Sequence, residues 1–320
     1  MKKNQIDIDK KRITINQAIK EFPNYLYVKG KTKSTMKAYI GDLKIFREFM
    51  KDSFRTKYLI KEITRSDIVF YQTFLIDKVK EGIYKKVTAD RKFDSLKVFY
   101  DYLEHYGHIS DNFLKGFSFT RAKGSYDKEN AELYIPEFLE PYDIDRIIQT
   151  AKNTKTSNSL RDICILELLR STGCRRSSVL DLEWEDIHLF KGTILIKHQK
   201  TKNTSTVPLS QRLKIALVDY MKTQKSPSGH VFRSNKGNPL SKTAFTQVIK
   251  KYVELSDIQN EKNFEITAKT FRHSFITLLV RKNIPLEKIA RYTGHKDVNT
   301  LKIYTHLKTE DLDDISSLVG

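Results

Sequence analysis

The segment that decides the fold of this chain lies near its C-terminus, and it reads Lys269-Thr-Phe-Arg272-His273-Ser-Phe, then Tyr-Thr-Gly-His295, then Ile-Tyr304-Thr-His. Apolar residues three and four positions apart surround these polar groups, which is the pattern of amphipathic helices. A tyrosine among cations is what an enzyme that attacks a phosphodiester needs, because the cations stabilise the phosphate charge that grows during attack. The stretch therefore indicates cleavage and rejoining of a nucleic acid backbone.

The composition of the chain points to a polyanionic partner. Its 320 residues include 58 Lys and Arg against 39 Asp and Glu, which gives a formal charge of +19, and lysines are spread along the whole length. Each phosphate contact made by such a surface releases condensed counterions, which favours binding. The even spread favours a large bound footprint over a single basic tail, although a generally basic protein of a lysine-rich proteome would show the same charge.

The cysteines and the apolar runs exclude several classes of protein. Cys164 and Cys174 stand ten residues apart with no Cys-x-x-Cys pair, so neither a structural zinc site nor a disulfide framework is expected. This cysteine usage suits a reducing cytosol. The N-terminus lacks the apolar core of a signal peptide, and no apolar run reaches the roughly 18 residues of a membrane span. We therefore expect a cytoplasmic protein without a metal.

Residues 13–108 are expected to form one compact domain of four amphipathic helices. The predicted helices cover residues 15–29, 33–54, 64–79 and 87–106. Ser34 and Thr35 are plausible N-caps of the second helix. Residues 109–139 show little periodicity and include Gly116, Gly124 and Pro136, so we interpret them as a linker.

Residues 140–320 alternate between helical and strand patterns, which predicts a mixed α/β domain that is mostly helical and holds one small antiparallel sheet. The strands are expected at 193–198 and 205–209, on either side of the polar turn 200–204. Helices are predicted at 143–153, 158–172, 177–184, 210–221, 241–255, 268–281, 286–292, 300–307 and 311–318. The fold class is therefore mainly α.

Two further stretches carry candidate phosphate chemistry. Arg175 follows Gly173, where one helix is expected to end, and stands at the start of the next helix. A guanidinium beside a helix N-terminus can bind a phosphate through two parallel N–H···O hydrogen bonds, although most arginines are simply exposed on the surface. Lys200 and Lys202 lie in the predicted hairpin turn, from which a lysine could protonate a leaving oxygen. The alternative is a solvated basic loop.

The helix predicted at 268–281 places two cations together. Lys269 and Arg272 are three residues apart and share a face, where an anion between them would relieve their repulsion. We expect His273 and Phe271 to point elsewhere. His295 directly follows Gly294, which is expected to end a helix.

Together these segments resemble the tyrosine recombinase, or phage integrase, family, including its Xer, Cre and lambda-integrase branches. Ser34-Thr-Met-Lys-Ala-Tyr-Ile-Gly-Asp-Leu and Leu96-Lys-Val-Phe-Tyr-Asp-Tyr-Leu look like that family's SAM-like core-binding domain. The C-terminal part has the order Arg, Lys, Lys-x-x-Arg, His and Tyr at the family's spacing. The resemblance covers nearly the whole chain, and it implies a DNA-binding domain at 13–108 and a catalytic domain at 140–320.

The resemblance also implies a catalytic set, namely Arg175, Lys200, Lys269, Arg272, His295 and Tyr304. Tyr304 would be the nucleophile, and Lys202 is the fallback for the catalytic lysine. Lys269 stands where the family commonly has histidine, and we expect it to act mainly as a phosphate contact. Ser178 stands where an acidic residue is common, and Asp181, one turn further on, is a candidate replacement.

The function implied is that of a site-specific recombinase that forms a 3′-phosphotyrosyl intermediate without ATP, metal or cofactor. Its partners would be two double-stranded DNA sites held by a homotetramer, with a monomer or dimer off DNA. Residues 31–37 and 88–97 are candidate groove contacts, and the predicted helix 311–318 would either dock on a neighbouring protomer or pack within its own chain. We expect an integrase or transposase of a mobile element. The alternatives are an Xer-type resolvase of chromosome or plasmid dimers, a type IB topoisomerase, or a catalytically idle DNA-binding regulator.

Overall fold

A computed structural model describes residues 13–54, 59–117, 136–198, 203–224 and 227–311 of the chain, with side chains as far as residue 305. The chain divides into two compact units, Met1–Asn130 and Ala131–Gly320. Both cysteines are free and buried. Within the described ranges, every helix is too short or too polar to cross a membrane.

The N-terminal unit contains the four predicted helices, each with its ends within one residue of the expected positions. They are α1 (Ile15–Val28), α2 (Lys33–Ser53), α3 (Arg65–Lys80) and α4 (Lys86–His105), with a 3₁₀ turn at Ile60–Glu62. The predicted caps of α2 are wrong, because Ser34 and Thr35 already lie inside the helix. Thr32 is the N-cap instead, and its hydroxyl accepts a hydrogen bond from the Thr35 backbone N–H at 3.3 Å.

Aromatic side chains fill the core of this unit. The rings of Phe46 and Tyr71 meet edge to face with centroids 4.9 Å apart, and those of Phe22 and Phe99 do so at 5.2 Å. Such pairs add about 1 kcal/mol each to the burial of their area. Leu114, beyond the last helix, is buried in the same core.

A buried carboxylate connects α2 to α4. Asp42 is only 3% exposed, and it accepts hydrogen bonds from Lys92 Nζ at 3.2 Å and from Ser95 Oγ at 2.8 Å. Arg91 donates to the same carboxylate from the edge of the cluster. Because Lys92 is itself buried, the pair is a desolvated ion pair whose charges depend on each other.

The C-terminal unit is helical around one three-stranded sheet. Its elements are α5 (Pro141–Asn153), α6 (Ser159–Thr172), α7 (Arg176–Leu180), a 3₁₀ turn (Trp184–Asp186), β1 (Ile187–His188), β2 (Thr193–His198), β3 (Asn203–Pro208), α8 (Gln211–Lys222), α9 (Lys242–Leu255), α10 (Ile258–Glu261), α11 (Ala268–Arg281), α12 (Leu286–Thr293) and a 3₁₀ helix (Val298–Asp311). The sheet is antiparallel in the order β1-β2-β3, and Ile194 of β2 is opposite both Ile187 and Val207. The predicted sheet and fold class are confirmed.

Two local predictions in this unit are wrong. The helix expected at 177–184 ends at Leu180, because the backbone groups of Leu182 and Trp184 pair with the loop around Gly229 and Val231 instead of continuing the helix. The helix expected at 300–307 is part of the longer 3₁₀ helix. The hairpin turn 199–202 and the predicted helix 311–318, beyond residue 311, lie outside the described residues.

Removing the Asp42 carboxylate should destabilise the N-terminal unit. We expect Asp42→Ala to cost about 3 kcal/mol, because it leaves Lys92 buried without its counter-ion. Hydrogen exchange of the α2 and α4 amides in the full-length chain measures this loss. The control is Asp94→Ala, whose exposed carboxylate lies 3.8 Å from Lys97 and should contribute less than about 1 kcal/mol. Equal effects of the two substitutions would contradict the structural role of Asp42.

Candidate active site

A cavity of about 1000 Å³ lies beside the N-terminal ends of α7 and α11. Its polar wall contains five of the six predicted site residues, namely Arg175, Lys269, Arg272, His295 and Tyr304. The sixth, Lys200, and its fallback Lys202 lie outside the described residues. The cavity thus brings together side chains from α7, α11, the end of α12 and the 3₁₀ helix.

Arg272 is a buried cation held by main-chain carbonyls. Its side chain is 8% exposed, Nη1 donates to Gly173 O at 2.9 Å, and Nη2 donates to Thr293 O at 2.9 Å. Burial and the nearby Arg175 lower its pKa to about 10, so it stays charged at neutral pH. None of the carboxylates in the described ranges forms an ion pair with it, which leaves a positive charge available to an anion in the cavity.

Arg175, like Arg272, is held by a hydrogen bond to a main-chain carbonyl. It is the N-cap of α7, and its Nη1 donates to Gly294 O at 3.2 Å. Burial lowers its pKa. The helices α6 and α12 end at Gly173 and Gly294, as predicted, and both glycines have the left-handed backbone conformation. The positions of both guanidinium groups therefore depend on these two helix ends.

His295 is a neutral imidazole with a defined tautomer. Its Nε2 lies 2.9 Å from Arg272 Nη2, and its Nδ1 lies 2.6 Å from Thr293 Oγ1. Because arginine only donates, Nε2 accepts and Nδ1–H donates to Thr293 Oγ1, which donates in turn to Ile289 O at 2.7 Å. Burial, Arg272 and Arg175 lower the pKa of His295 to about 3.

His273 lies in the cavity, and the expectation that it points elsewhere is wrong. Its Nδ1 forms a hydrogen bond with the Tyr304 hydroxyl, and the two ring centroids are 5.7 Å apart. Positions 269 and 273 are four apart on α11, so His273 shares the face of Lys269 and Arg272. The spacing therefore contained the signal. Phe271 is fully buried in the core, away from the cavity wall, as expected.

Tyr304 is the least accessible of the five described members of the set. The side chain is 3% exposed and packs against Ile276, Ile289 and Leu301 in a small apolar cluster. Lys269 is exposed at the rim of the cavity. The arrangement therefore combines an enclosed phenol with cations that are open to a large anionic ligand.

Sequence reasoning did not select His198, although it supports the site. It is buried on β2, its Nε2 lies 2.9 Å from Ser205 Oγ, and its ring lies directly against Gly294. Burial, Arg175 and Arg272 lower its pKa to about 4. The alternation of β2, in which every second side chain faces the core, was the available signal.

Ser178 links α7 to the sheet, because its Oγ donates to Lys197 O at 2.7 Å. Asp181, the suggested replacement for an acidic residue at position 178, is not among the residues that line the cavity. In the described ranges, no three His, Cys, Asp or Glu side chains are grouped so that they could bind a metal ion.

A methyl group at Gly294 should disturb the site in two ways. Alanine is disfavoured at its φ of 67°, and the new Cβ would clash with the His198 ring. Gly192→Ala is the matched control, since φ is 64° there and nothing lies within 4 Å. We expect a loss of about 1 kcal/mol for the control and of about 3 kcal/mol for Gly294→Ala. Thermal unfolding followed by fluorescence of Trp184, the single tryptophan, measures both, and equal losses would contradict the clash.

The buried histidines should make the C-terminal unit less stable in mild acid. The pKa values of His198, His273 and His295 are about 4, 4 and 3, against an ordinary value of 6.5. At pH values between the lowered pKa values and 6.5, the unfolded chain binds more protons than the folded one. The free energy of unfolding therefore falls as the pH drops below 6.5. We expect a loss on the order of 1 kcal/mol for each histidine between pH 7 and pH 5.

Urea unfolding followed by Trp184 fluorescence at the two pH values tests this expectation. His273→Asn should weaken the pH dependence, and His188→Asn, which alters an exposed histidine on β1, should preserve it. The same pH dependence in both variants would show that His273 contributes nothing to it.

Comparison with known proteins supports the resemblance found in the sequence. The model of the phage integrase family matches residues 137–311, and that of the phage integrase N-terminal SAM-like domain matches residues 19–106. Tyrosine recombinase XerD of Listeria innocua is 29% identical over an alignment of 309 residues, and the match covers 94% of this chain and 97% of XerD. A tyrosine recombinase of Agathobacter rectalis is 31% identical over an alignment of 266 residues, and the match covers 79% of this chain and 84% of the relative.

A solved structure has a similar fold. The XerH site-specific recombinase, in its post-cleavage complex with palindromic difH substrate, superposes with a TM-score of 0.67 at 22% identity, and the match covers 88% of this chain and 79% of XerH. The catalytic family model alone spans more than half of the chain, and the expected family is therefore confirmed. This chain belongs to the phage integrase family and is a tyrosine recombinase.

Proposed function

We propose that this tyrosine recombinase cleaves and rejoins double-stranded DNA at specific sites, with Tyr304 as the nucleophile. The observation that carries the proposal is the single cavity in which two carbonyl-anchored arginines, a neutral histidine and an enclosed tyrosine meet. Cations held in place before the substrate arrives need no reorganisation when charge grows on the phosphate.

Arg175 and Arg272 would bind the non-bridging oxygens of the scissile phosphate. Each guanidinium has five N–H groups, and the contacts to Gly173, Thr293 and Gly294 occupy only some of them. Removal of one such preorganised donor commonly raises the barrier by about 3–4 kcal/mol. His295 would support this clamp by accepting from Arg272 Nη2 through its Nε2, and Lys269 would contact the phosphate from the rim.

The reaction would proceed by two transesterifications. The Tyr304 oxygen attacks the phosphate, a 3′-phosphotyrosyl bond forms, and the 5′-oxygen leaves with a proton from Lys200, or from Lys202 if that residue is the catalytic lysine. The 5′-hydroxyl of a partner strand then attacks the phosphotyrosine and releases Tyr304. Because the covalent intermediate conserves the phosphodiester bond energy, neither ATP nor a metal ion is required.

Both units would bind the DNA duplex. Residues 13–108 would form the core-binding domain and 140–320 the catalytic domain, joined by the linker 109–139, and each would contact the duplex. Exposed lysines at 33 and 37, and the start of α4, are candidate contacts to the groove. A homotetramer on two DNA sites would carry out strand exchange, with the segment after residue 311 exchanged between protomers.

Two biological settings suit this chemistry. We propose an integrase or transposase of a mobile element, and Xer-type resolution of chromosome or plasmid dimers is the second candidate. The second is favoured by the extent of the match to the Listeria innocua XerD, which includes 97% of that relative's length. The free, buried cysteines are consistent with the cytoplasmic location that we propose.

Covalent trapping tests both the nucleophile and the setting. Nicked suicide duplexes tiled from the DNA beside the gene, and a second set from chromosomal dimer-resolution sites, are incubated with the protein in EDTA. We expect wild type to form an SDS-resistant adduct on one set, because loss of the short 5′-strand prevents religation. We expect Tyr304→Phe to form none while it binds the same DNA.

The outcomes separate the alternatives. An adduct on flanking DNA supports the mobile element, and one on dimer-resolution sites supports the resolvase. Tight specific binding without any adduct would favour the idle regulator, and an adduct that persists in Tyr304→Phe would overturn the assignment of the nucleophile. Adduct formation that requires added Mg²⁺ would contradict the metal-free mechanism.

A further inference from the structure

The cavity contains a histidine to which the proposed reaction gives no role. His273 Nδ1 forms a hydrogen bond with the hydroxyl of Tyr304, the atom that would attack the phosphate. Both residues line the cavity together with Arg272 and His295. A phenol needs an acceptor for its proton when it forms a bond to phosphorus, and His273 Nδ1 lies within hydrogen-bonding distance of that proton.

Lys269 is poorly suited to that task. It is exposed to solvent, and an ammonium group has three donors and no lone pair that could receive a proton. His273, one helical turn further along α11, presents an imidazole at the same face of the helix.

We propose that His273 is the general base that receives the Tyr304 proton during attack on DNA. The inference rests on the proposed function, in which Tyr304 is the nucleophile. The Tyr304 O–H bond breaks and its proton moves to His273 Nδ1, while the Tyr304 oxygen bonds to phosphorus and the bond from phosphorus to the 5′-oxygen breaks. When a 5′-hydroxyl later attacks the phosphotyrosine, His273 returns the proton to the departing Tyr304 oxygen.

The surroundings of His273 are compatible with the form that a base needs. Its Nε2 is buried and has no hydrogen-bond partner among the described residues, so no neighbouring group competes for either nitrogen with Tyr304. In the neutral ring that accepts a proton on Nδ1, Nε2 carries the hydrogen. Burial, Lys269 and Arg272 lower the pKa of His273 to about 4, and the ring is therefore uncharged at neutral pH.

The same charges make the base dependent on substrate. Without DNA, Lys269 and Arg272 oppose formation of an imidazolium, so Tyr304 keeps its proton. A phosphate bound between these cations offsets their charge, and the added negative charge of the transition state favours the imidazolium further. Activation of the nucleophile would therefore follow binding of the scissile phosphate.

The test compares His273→Asn with His188→Asn in single-turnover cleavage of the suicide duplex, with DNA binding measured in parallel. Asparagine keeps a hydrogen-bonding side chain beside Tyr304 but cannot carry the proton. We expect His273→Asn to cleave about 100-fold more slowly with unchanged DNA affinity. His188→Asn, an exposed change on β1, should cleave at the wild-type rate.

A fluorinated tyrosine at position 304 distinguishes a base from a positioning group. Fluorine atoms make the phenol more acidic, so it needs less help to lose its proton. We expect trifluorotyrosine at position 304 to raise the cleavage rate of His273→Asn. The rate should come within about tenfold of that of the wild-type protein carrying the same fluorinated residue. If His273→Asn does not fold, as judged by Trp184 fluorescence, His273→Gln is used in the same way.

Each result decides the proposal. A wild-type cleavage rate in His273→Asn overturns it, and so does a loss that the fluorinated tyrosine does not restore, since that would assign His273 to positioning. An adduct in Tyr304→Phe would instead refute the proposed nucleophile, whatever the effect at position 273. The two failures are thus distinguishable.

Discussion

The site depends on a buried positive charge that the protein balances with carbonyl dipoles and with no described carboxylate. Arg272 is held by Gly173 O and Thr293 O, and the opposing Arg175 is held by Gly294 O. Partial charges on carbonyls orient a guanidinium but do not neutralise it, so the cavity retains a strong attraction for an anion. The cost in stability is the desolvation of that charge, and the remaining packing of the unit has to offset it.

Local signals in the sequence predicted the elements that place the arginines. Gly173 and Gly294 end helices because glycine alone adopts the left-handed conformation there without strain, and helix 268–281 follows from its apolar spacing. Residues whose roles depend on distant partners were missed. His198 became part of the site only because the fold brings β2 against the end of α12, and Trp184 left its predicted helix because it pairs with Gly229.

The contrast between Lys269 and His273 illustrates how a chain can change the chemistry of one helix face without changing the fold. A lysine at the rim contributes charge, and an imidazole one turn further in contributes a lone pair. Their coupling is electrostatic, because the charge of Lys269 opposes a proton on His273 when the cavity is empty. Binding energy and proton affinity at this site are therefore linked quantities.

The enclosure of Tyr304 has a consequence for chemical selectivity. Only 3% of its side chain meets solvent, and Ile276, Ile289 and Leu301 cover the ring. Small soluble electrophiles, such as phosphate esters or acylating metabolites, would reach a tyrosine on the surface freely. They have much less access to the buried side chain of Tyr304. A polymer that fills the cavity can contact its rim and its arginines at the same time as the hydroxyl. Burial of the phenol thus acts as a filter that favours long polyanions over abundant small esters.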